Sequence, residues 1–153
     1  MTSIFRSAWA GVIEPLLKRP PALQLAALCW RNGANGREVL LITSSNGRWI
    51  LPKGWPIDGL TAPEAALQEA WEEAGVKTGK ASKSSMGAYD CRKRFDSGSE
   101  IPCRTEVFEV EAIEVAEDYP ESEMRKRRWV TPADAAEMVA EPGLKVILAA
   151  FAD

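Results

Sequence analysis

Three glutamates carry the strongest chemical signal in this chain. Glu69, Glu72 and Glu73 stand at i, i+3 and i+4, so on a helix they fall within an arc of about 100° at 3.6 residues per turn. Like charges at those spacings destabilise a helix by roughly 0.2–0.5 kcal/mol per pair. Glu72 and Glu73 would also lie in the last turn, where the helix dipole disfavours anions. No Lys or Arg between Lys53 and Lys77 relieves them locally. A bare acidic triplet reads first as a solvated face. Converging carboxylates, however, offer hard oxygen ligands suited to Mg²⁺ or Mn²⁺. A divalent ion so held can bind phosphate oxygens, activate a water and stabilise a leaving group.

The helix that must carry them is marked at both ends. Thr61 is a good N-cap, and Glu64 three residues on completes a capping box. Pro63 falls in the first turn, where a missing N–H does no harm. Gly75 is the expected stop. Ala65, Ala66, Leu67, Ala70, Trp71 and Ala74 supply an apolar face.

The stretch Gly54 to Val76 resembles the Nudix box, G-x5-E-x7-R-E-U-x-E-E-x-G-U with U a bulky aliphatic residue. Gly54 fills the first position, and Glu69, Glu72, Glu73, Gly75 and Val76 fill the closing run. Leu60 replaces the first Glu, Gln68 replaces the Arg, and Ala70 is small for its place. In the family that Glu and Arg commonly pair to brace loop and helix, so their joint replacement resembles the loss of one structural pair. The resemblance implies that Glu69, Glu72 and Glu73 bind Mg²⁺ or Mn²⁺, with the Gly54 carbonyl helping. It implies hydrolysis of a nucleoside diphosphate linked to another moiety; which Glu is the general base varies between family members, and Glu69 or Glu73 is the reading favoured here. It also implies an α/β/α sandwich with a mixed central β-sheet.

Further features resemble the diphosphoinositol polyphosphate phosphohydrolase and diadenosine polyphosphate hydrolase branch. These are Ser44, Ser45, Arg48 and Trp49 before the box, then the basic run Arg125 to Arg128 ahead of Trp129. Lys53, directly before the box glycine, resembles the Pro-Lys-Gly form of dinucleoside polyphosphate hydrolases. A substrate with four or more phosphate charges needs several cations besides the metal. The substrate-binding candidates are Ser44, Arg48, Lys53, Arg125 and Arg127, with Arg92, Lys93, Arg94, Lys126 and Arg128 as further cations. Trp55, in the polar loop after Gly54, is a candidate for stacking on a base, whereas Trp49 and Trp129 read as core.

Composition bounds these readings. At 153 residues with 46% hydrophobic and 27% charged residues, the chain reads as one globular domain. Its net charge of −3 argues against a general nucleic-acid binder. The absence of His excludes Ser-His-Asp and Cys-His mechanisms. The three Cys lack metal-ligand spacing, which predicts a reducing, cytoplasmic setting. No apolar run of membrane-spanning length is present. Residues 1–21 read as an N-terminal arm or short helix, since Arg6 and Glu14 interrupt what would be a leader's apolar run, and residues 22–153 read as the Nudix domain.

Along the chain, 22–31 reads as a buried strand, with a helix as the alternative its Ala and Leu content leaves open; with 37–43 it would form a hairpin across the NGANG turn, and 48–51 is a short strand leading to Gly54. Residues 77–85 read as a polar connection, 86–95 as a strand, and 96–102 as a turn. Residues 104–115 read as a long strand with an irregularity, its Glu106, Glu109, Glu111 and Glu114 largely in water. A charged loop at 116–126 leads to a short strand at 128–130. A helix capped by Thr131 follows, with Pro142-Gly143 interrupting before a final apolar helix at 144–151.

The expected activity is therefore Mg²⁺-dependent cleavage of a small phosphorylated substrate, a dinucleoside polyphosphate or a diphosphoinositol polyphosphate. Nucleoside triphosphates or the 5′ end of RNA form an alternative substrate class. A non-catalytic nucleotide-binding Nudix module is the alternative outside enzymes, kept open by Leu60 and Gln68. The sequence gives no oligomeric state.

Overall fold

The structure, a computed structural model, describes residues 21–152. The expected N-terminal arm lies outside the described residues except for Pro21. In chain order the elements are β1 (Ala22–Gly33), β2 (Gly36–Thr43), β3 (Trp49–Ile50), β4 (Lys53–Gly54) and α1 (Ala62–Ala74), then β5 (Val76–Ala81), β6 (Gly87–Arg94), β7 (Glu100–Val115), β8 (Arg127–Val130), α2 (Pro132–Met138) and α3 (Pro142–Phe151).

All eight strands join one sheet. β1 and β7 run parallel at its centre, in register from Ala22 opposite Cys103 to Trp30 opposite Glu111. The remaining pairings are antiparallel, so the sheet is mixed. Strand β1 is apolar almost throughout because both of its faces are covered. Leu25, Ala27 and Cys29 pack with Leu40, Ile42, Phe108 and Val110 against Ala65, Ala66, Ala70 and Ala74 of α1. Ala26 and Leu28 face the other way, packing with Val39, Leu41 and Val107 against Ala135, Leu144, Leu148 and Phe151 of α2 and α3. Helices therefore cover both faces, giving the α/β/α sandwich. The small Ala70, fully buried, lets α1 lie close on the sheet.

Several boundaries differ from the sequence reading. Residues 77–85 are not simply a polar connection, because they open within β5, an edge strand paired only with β7. Its solvent-facing Lys77, Thr78 and Lys80 hide the apolar alternation. The expected irregularity in β7 occurs against this strand, with register shifts around Thr78. β7 begins at Glu100, so it claims part of the expected turn. Glu114 is exposed, but Glu106, Glu109 and Glu111 are half-buried. Pro142 begins α3 rather than interrupting it.

Among the described residues no helix is long and apolar enough to cross a membrane.

Candidate active site

Both ends of α1 are fixed by the residues read from the sequence. The Thr61 hydroxyl accepts from the Glu64 amide at 3.3 Å, and the Thr61 amide donates to the Glu64 carboxylate at 2.8 Å. Hydrogen bonding to Thr61, its backbone first and its side chain second, holds the Glu64 carboxyl below its usual range. At the other end Gly75 adopts φ +76°, a left-handed cap whose amide donates back to Ala70 and Trp71. The last turn contains no basic residue. Two arginines from elsewhere in the chain reach it instead. Arg127 donates to the Ala74 carbonyl at 2.8 Å while its guanidinium lies 4.7 Å from the Tyr119 ring centre. Arg125 reaches Glu73.

Glu73 is the most constrained of the three glutamates. It is only 8% exposed and accepts from the Lys53 amide at 3.1 Å. Arg125 lies 3.4 Å from its other oxygen, donates to the Glu121 carboxylate at 2.8 Å, and donates to the Thr43 carbonyl at 2.8 Å. One guanidinium therefore ties β2, α1 and the 116–126 loop together. Burial pushes the Glu73 carboxyl up to about 7, against the opposing pull of Arg125 and the Lys53 amide. Burial also raises Glu69, reinforced by the charge of Glu72 and moderated by a hydrogen bond with Glu73. Glu72 is turned toward Gln68, whose amide donates to it at 3.0 Å.

Gly54 is held beside this pair because β4 pairs with β1, placing Gly54 opposite Leu25. A Cβ on Gly54 would collide with the Glu69 carboxylate. Only a glycine lets backbone and carboxylate approach so closely.

A hard divalent cation fits these residues. Two adjacent carboxyls, both raised chiefly by burial, become more stable as ions when a cation is supplied. The Glu69 and Glu73 carboxylates and the nearby Gly54 carbonyl are all oxygen donors. Among the described residues no group of three or more acidic, His or Cys side chains is already assembled around a common point.

Beside Glu73 opens a cleft of about 530 Å³. Ser44, Arg48, Lys53 and Arg125 line it, as do Arg92, Lys93 and Arg94 of β6. The Ser44 hydroxyl accepts from the Arg48 amide at 3.1 Å, which shapes the turn carrying Arg48. Trp55 is 40% exposed and lies outside the residues lining the cleft. Arg127 also lies outside it, committed to the end of α1. Trp49 and Trp129 are partly buried against the core, Trp129 beneath the Arg31 guanidinium at 4.1 Å. The sequence reading missed Gln24, a cleft residue only 3% exposed. Its single signal was a polar side chain within the apolar run of β1.

A model of the NUDIX domain matches residues 22–151 of this chain. Nudix hydrolase 12, mitochondrial, of Arabidopsis thaliana is 36% identical over 108 residues, covering 68% of this chain and 53% of that protein. Diphosphoinositol polyphosphate phosphohydrolase 3-alpha of Mus musculus is 36% identical over 118 residues, covering 74% of this chain and 66% of that protein. The structure of a C. elegans Ap4A hydrolase superposes with a TM-score of 0.62 at 17% identity, covering 85% of this chain and 94% of the other, a likeness of fold. The chain thus spans about half to two thirds of the length of these curated relatives.

Proposed function

The chain belongs to the Nudix family, and on that premise we propose that it is a Mg²⁺- or Mn²⁺-dependent hydrolase of phosphoanhydride bonds. Its substrate is a nucleoside diphosphate linked to another moiety, in the form of a dinucleoside polyphosphate or a diphosphoinositol polyphosphate. One observation carries this reading: the Glu69/Glu73 pair and the Gly54 backbone sit beside a cleft lined by six Lys and Arg side chains.

The residues divide the work. Arg48, Lys53, Arg92, Lys93 and Arg94 offer donors to a chain of phosphates, the arginines through paired N–H groups. Arg125 holds Glu73 in place from three directions. Glu69, Glu73 and the Gly54 carbonyl would hold the cation, which when bound supplies charge stabilisation at phosphorus and a more acidic water. Either Glu69 or Glu73 would take the proton from the attacking water, whichever carboxylate the cation leaves free, since a bound cation draws the raised Glu73 carboxyl back toward its ionised form. The three cysteines are free thiols, consistent with a reducing compartment such as the cytoplasm.

The test is a screen of phosphorylated compounds with Mg²⁺, with Mn²⁺ and with excess EDTA. Turnover of a dinucleoside or diphosphoinositol polyphosphate that stops on chelation is the expected result. Full turnover in EDTA, or hydrolysis confined to nucleoside triphosphates or RNA 5′ ends, would refute this assignment. The engagement of Glu72 by Gln68 favours a second reading, a nucleotide-binding module without catalysis. Tight binding without turnover in the same screen would identify it.

A further inference from the structure

Two cysteines outside the glutamate cluster face each other across neighbouring strands. β6 and β7 pair antiparallel with Cys91 directly opposite Cys103, so both side chains leave the same face of the sheet. Where the hairpin closes, the Phe95 amide donates to the Ser99 carbonyl. Hydrogen-bonded pairs alternate along the ladder from there, which makes Cys91 and Cys103 such a pair. Their Cα atoms are therefore about 5.5 Å apart, inside the span of about 4.4–6.8 Å that a disulfide bridges. The side chains also interact. Burial raises the Cys103 thiol, and the charge of Cys91 and a hydrogen bond with it raise it further. The Cys91 sulfur lies 3.1 Å from the Thr105 hydroxyl. Both cysteines line a surface depression rimmed by Pro21, Asp90, Arg92 and Pro102. Cys91 is half-buried and Cys103 only 1% exposed, so a small reagent meets Cys91 first. Cys29 is out of reach. It packs toward α1, whereas Cys91 packs toward α2 and α3. Along β1 it also stands seven positions beyond Ala22, the residue opposite Cys103, roughly 23 Å away in a strand.

We infer that Cys91 and Cys103 form a reversible disulfide on oxidation, and that this bridge weakens the binding of polyphosphate in the cleft. The oxidant is a peroxide or a small disulfide such as oxidised glutathione. With hydrogen peroxide, the Cys91 thiolate attacks one oxygen and becomes a sulfenic acid. The other oxygen leaves as hydroxide and takes up the proton that the Cys91 thiol released. The Cys103 thiolate then attacks the Cys91 sulfur and expels a second hydroxide, which takes up the Cys103 proton. Two thiols and one peroxide thus give one disulfide and two waters. The coupling to the cleft runs through the strand. Cβ atoms opposite each other in an antiparallel pair are up to about 5.5 Å apart, against at most about 4.5 Å in a disulfide. Closing the bridge therefore draws the two strands together. β6 is the one that yields, because among the described strands it pairs only with β7, whereas β7 is also held by β1 and β5. Arg92, Lys93 and Arg94, the next three residues of β6, line the cleft and move with it. Glu69, Glu73 and Gly54 stand on α1 and β4 and stay in place. The same misfit makes the bond easy to reduce, as suits a transient, redox-sensing disulfide in a reducing compartment. The bond itself is independent of the hydrolase reading; its effect rests on the phosphate role given there to the cleft cations.

The test treats the wild type with hydrogen peroxide and, separately, with oxidised glutathione. Thiols counted after unfolding should fall from three to one, peptide mapping should join Cys91 to Cys103, and dithiothreitol should restore all three. Cys29→Ala should form the same bridge. Calorimetry with inorganic tripolyphosphate in metal-free buffer reads the cleft without turnover. Its Kd should rise about three- to tenfold on oxidation, as charge-assisted contacts are lost. It should return on reduction and stay unmoved by oxidant in Cys91→Ser. Mapping of the wild type keeps the bond testable should Cys91→Ser fail to fold. In turnover assays KM should rise with Kd while kcat changes by less than about twofold, the pattern of lost uniform binding. No turnover in either form, with the Kd shift intact, sinks the hydrolase reading and leaves this inference standing. Three free thiols after both oxidants, a glutathione adduct on Cys91 without the bond to Cys103, or a bridge that leaves Kd unchanged would each overturn it.

Discussion

Replacing Glu73 by Gln exposes the electrostatics of the site most directly. The Glu73 side chain is 11% exposed, and its carboxyl is raised from 4.5 to about 7, chiefly by burial. At about 1.36 kcal/mol per unit, holding this group ionised in the fold costs about 3 kcal/mol relative to the unfolded chain. The sign follows from proton counts. Between pH 4.5 and about 7 the native state keeps a proton that the unfolded state has released, so native stability falls as pH rises through that window. Gln is isosteric and carries no charge, so the mutant lacks this dependence. Urea unfolding in excess EDTA at pH 5 and pH 8 should show the stability gap shifting in favour of Glu73→Gln by about 2–3 kcal/mol. Because Glu69 and Glu73 interact, the measurement reports the pair rather than one carboxyl. Millimolar Mg²⁺ should restore the wild type at pH 8 by binding the ionised pair, and leave the mutant nearly unmoved. Its kcat should fall at least about 100-fold, since a positioned acid–base or charge-stabilising group is lost. Parallel stability profiles for the two proteins would refute the claim that burial raises Glu73.

Three further outcomes are expected. Gly54→Ala should displace the Glu69 carboxylate, a flexible side-chain end, rather than unfold the chain; the Mg²⁺ needed for half-maximal activity should rise about tenfold or more, with the urea midpoint little changed. Arg125→Lys keeps the charge but loses the planar fork that reaches Glu73, Glu121 and Thr43, and should lower stability by about 1–3 kcal/mol in a urea titration. Leu60→Glu with Gln68→Arg tests the missing family pair: Leu60 is 41% exposed and both residues line one surface depression, so a double-mutant cycle should give a favourable coupling of about 0.5–1 kcal/mol, and zero coupling would separate the positions.

Much of α1 was legible because its signals are local. A capping box needs four residues and a left-handed glycine cap needs one, so Thr61, Glu64 and Gly75 could be placed without knowing the fold. The continuous apolar run of β1 likewise read as a buried strand, although its Ala and Leu content suited a helix as well. Strand β5 was not legible, because an edge strand with mostly solvated side chains has the composition of a loop. β4 is two residues long and exists only through its pairing with β1. Gln24 had no spacing to betray it, since the cleft it lines is assembled from the 44–48 turn, β6 and the 116–126 loop.

The basic run Arg125 to Arg128 shows how the fold divides residues of one type between different places. Read as a unit, it offered several cations to the substrate. Folded, Arg125 stands in the cleft with Glu73. Arg127 instead supplies the missing cation at the α1 C-terminus, bonded to the Ala74 carbonyl. That also resolves the apparent conflict in the acidic last turn of α1. Its anions looked uncompensated because the sequence offers no basic partner within helical reach. The compensation arrives through residues more than fifty positions away, carried by the loop and strand that complete the sheet. The acidic turn is thereby held from two sides: Arg125 reaches one oxygen of Glu73, and the Lys53 amide meets the other. Glu69 remains between Glu73 and the Gly54 backbone. A helix end that is unfavourable in isolation is thus stabilised by charges that come from outside the helix.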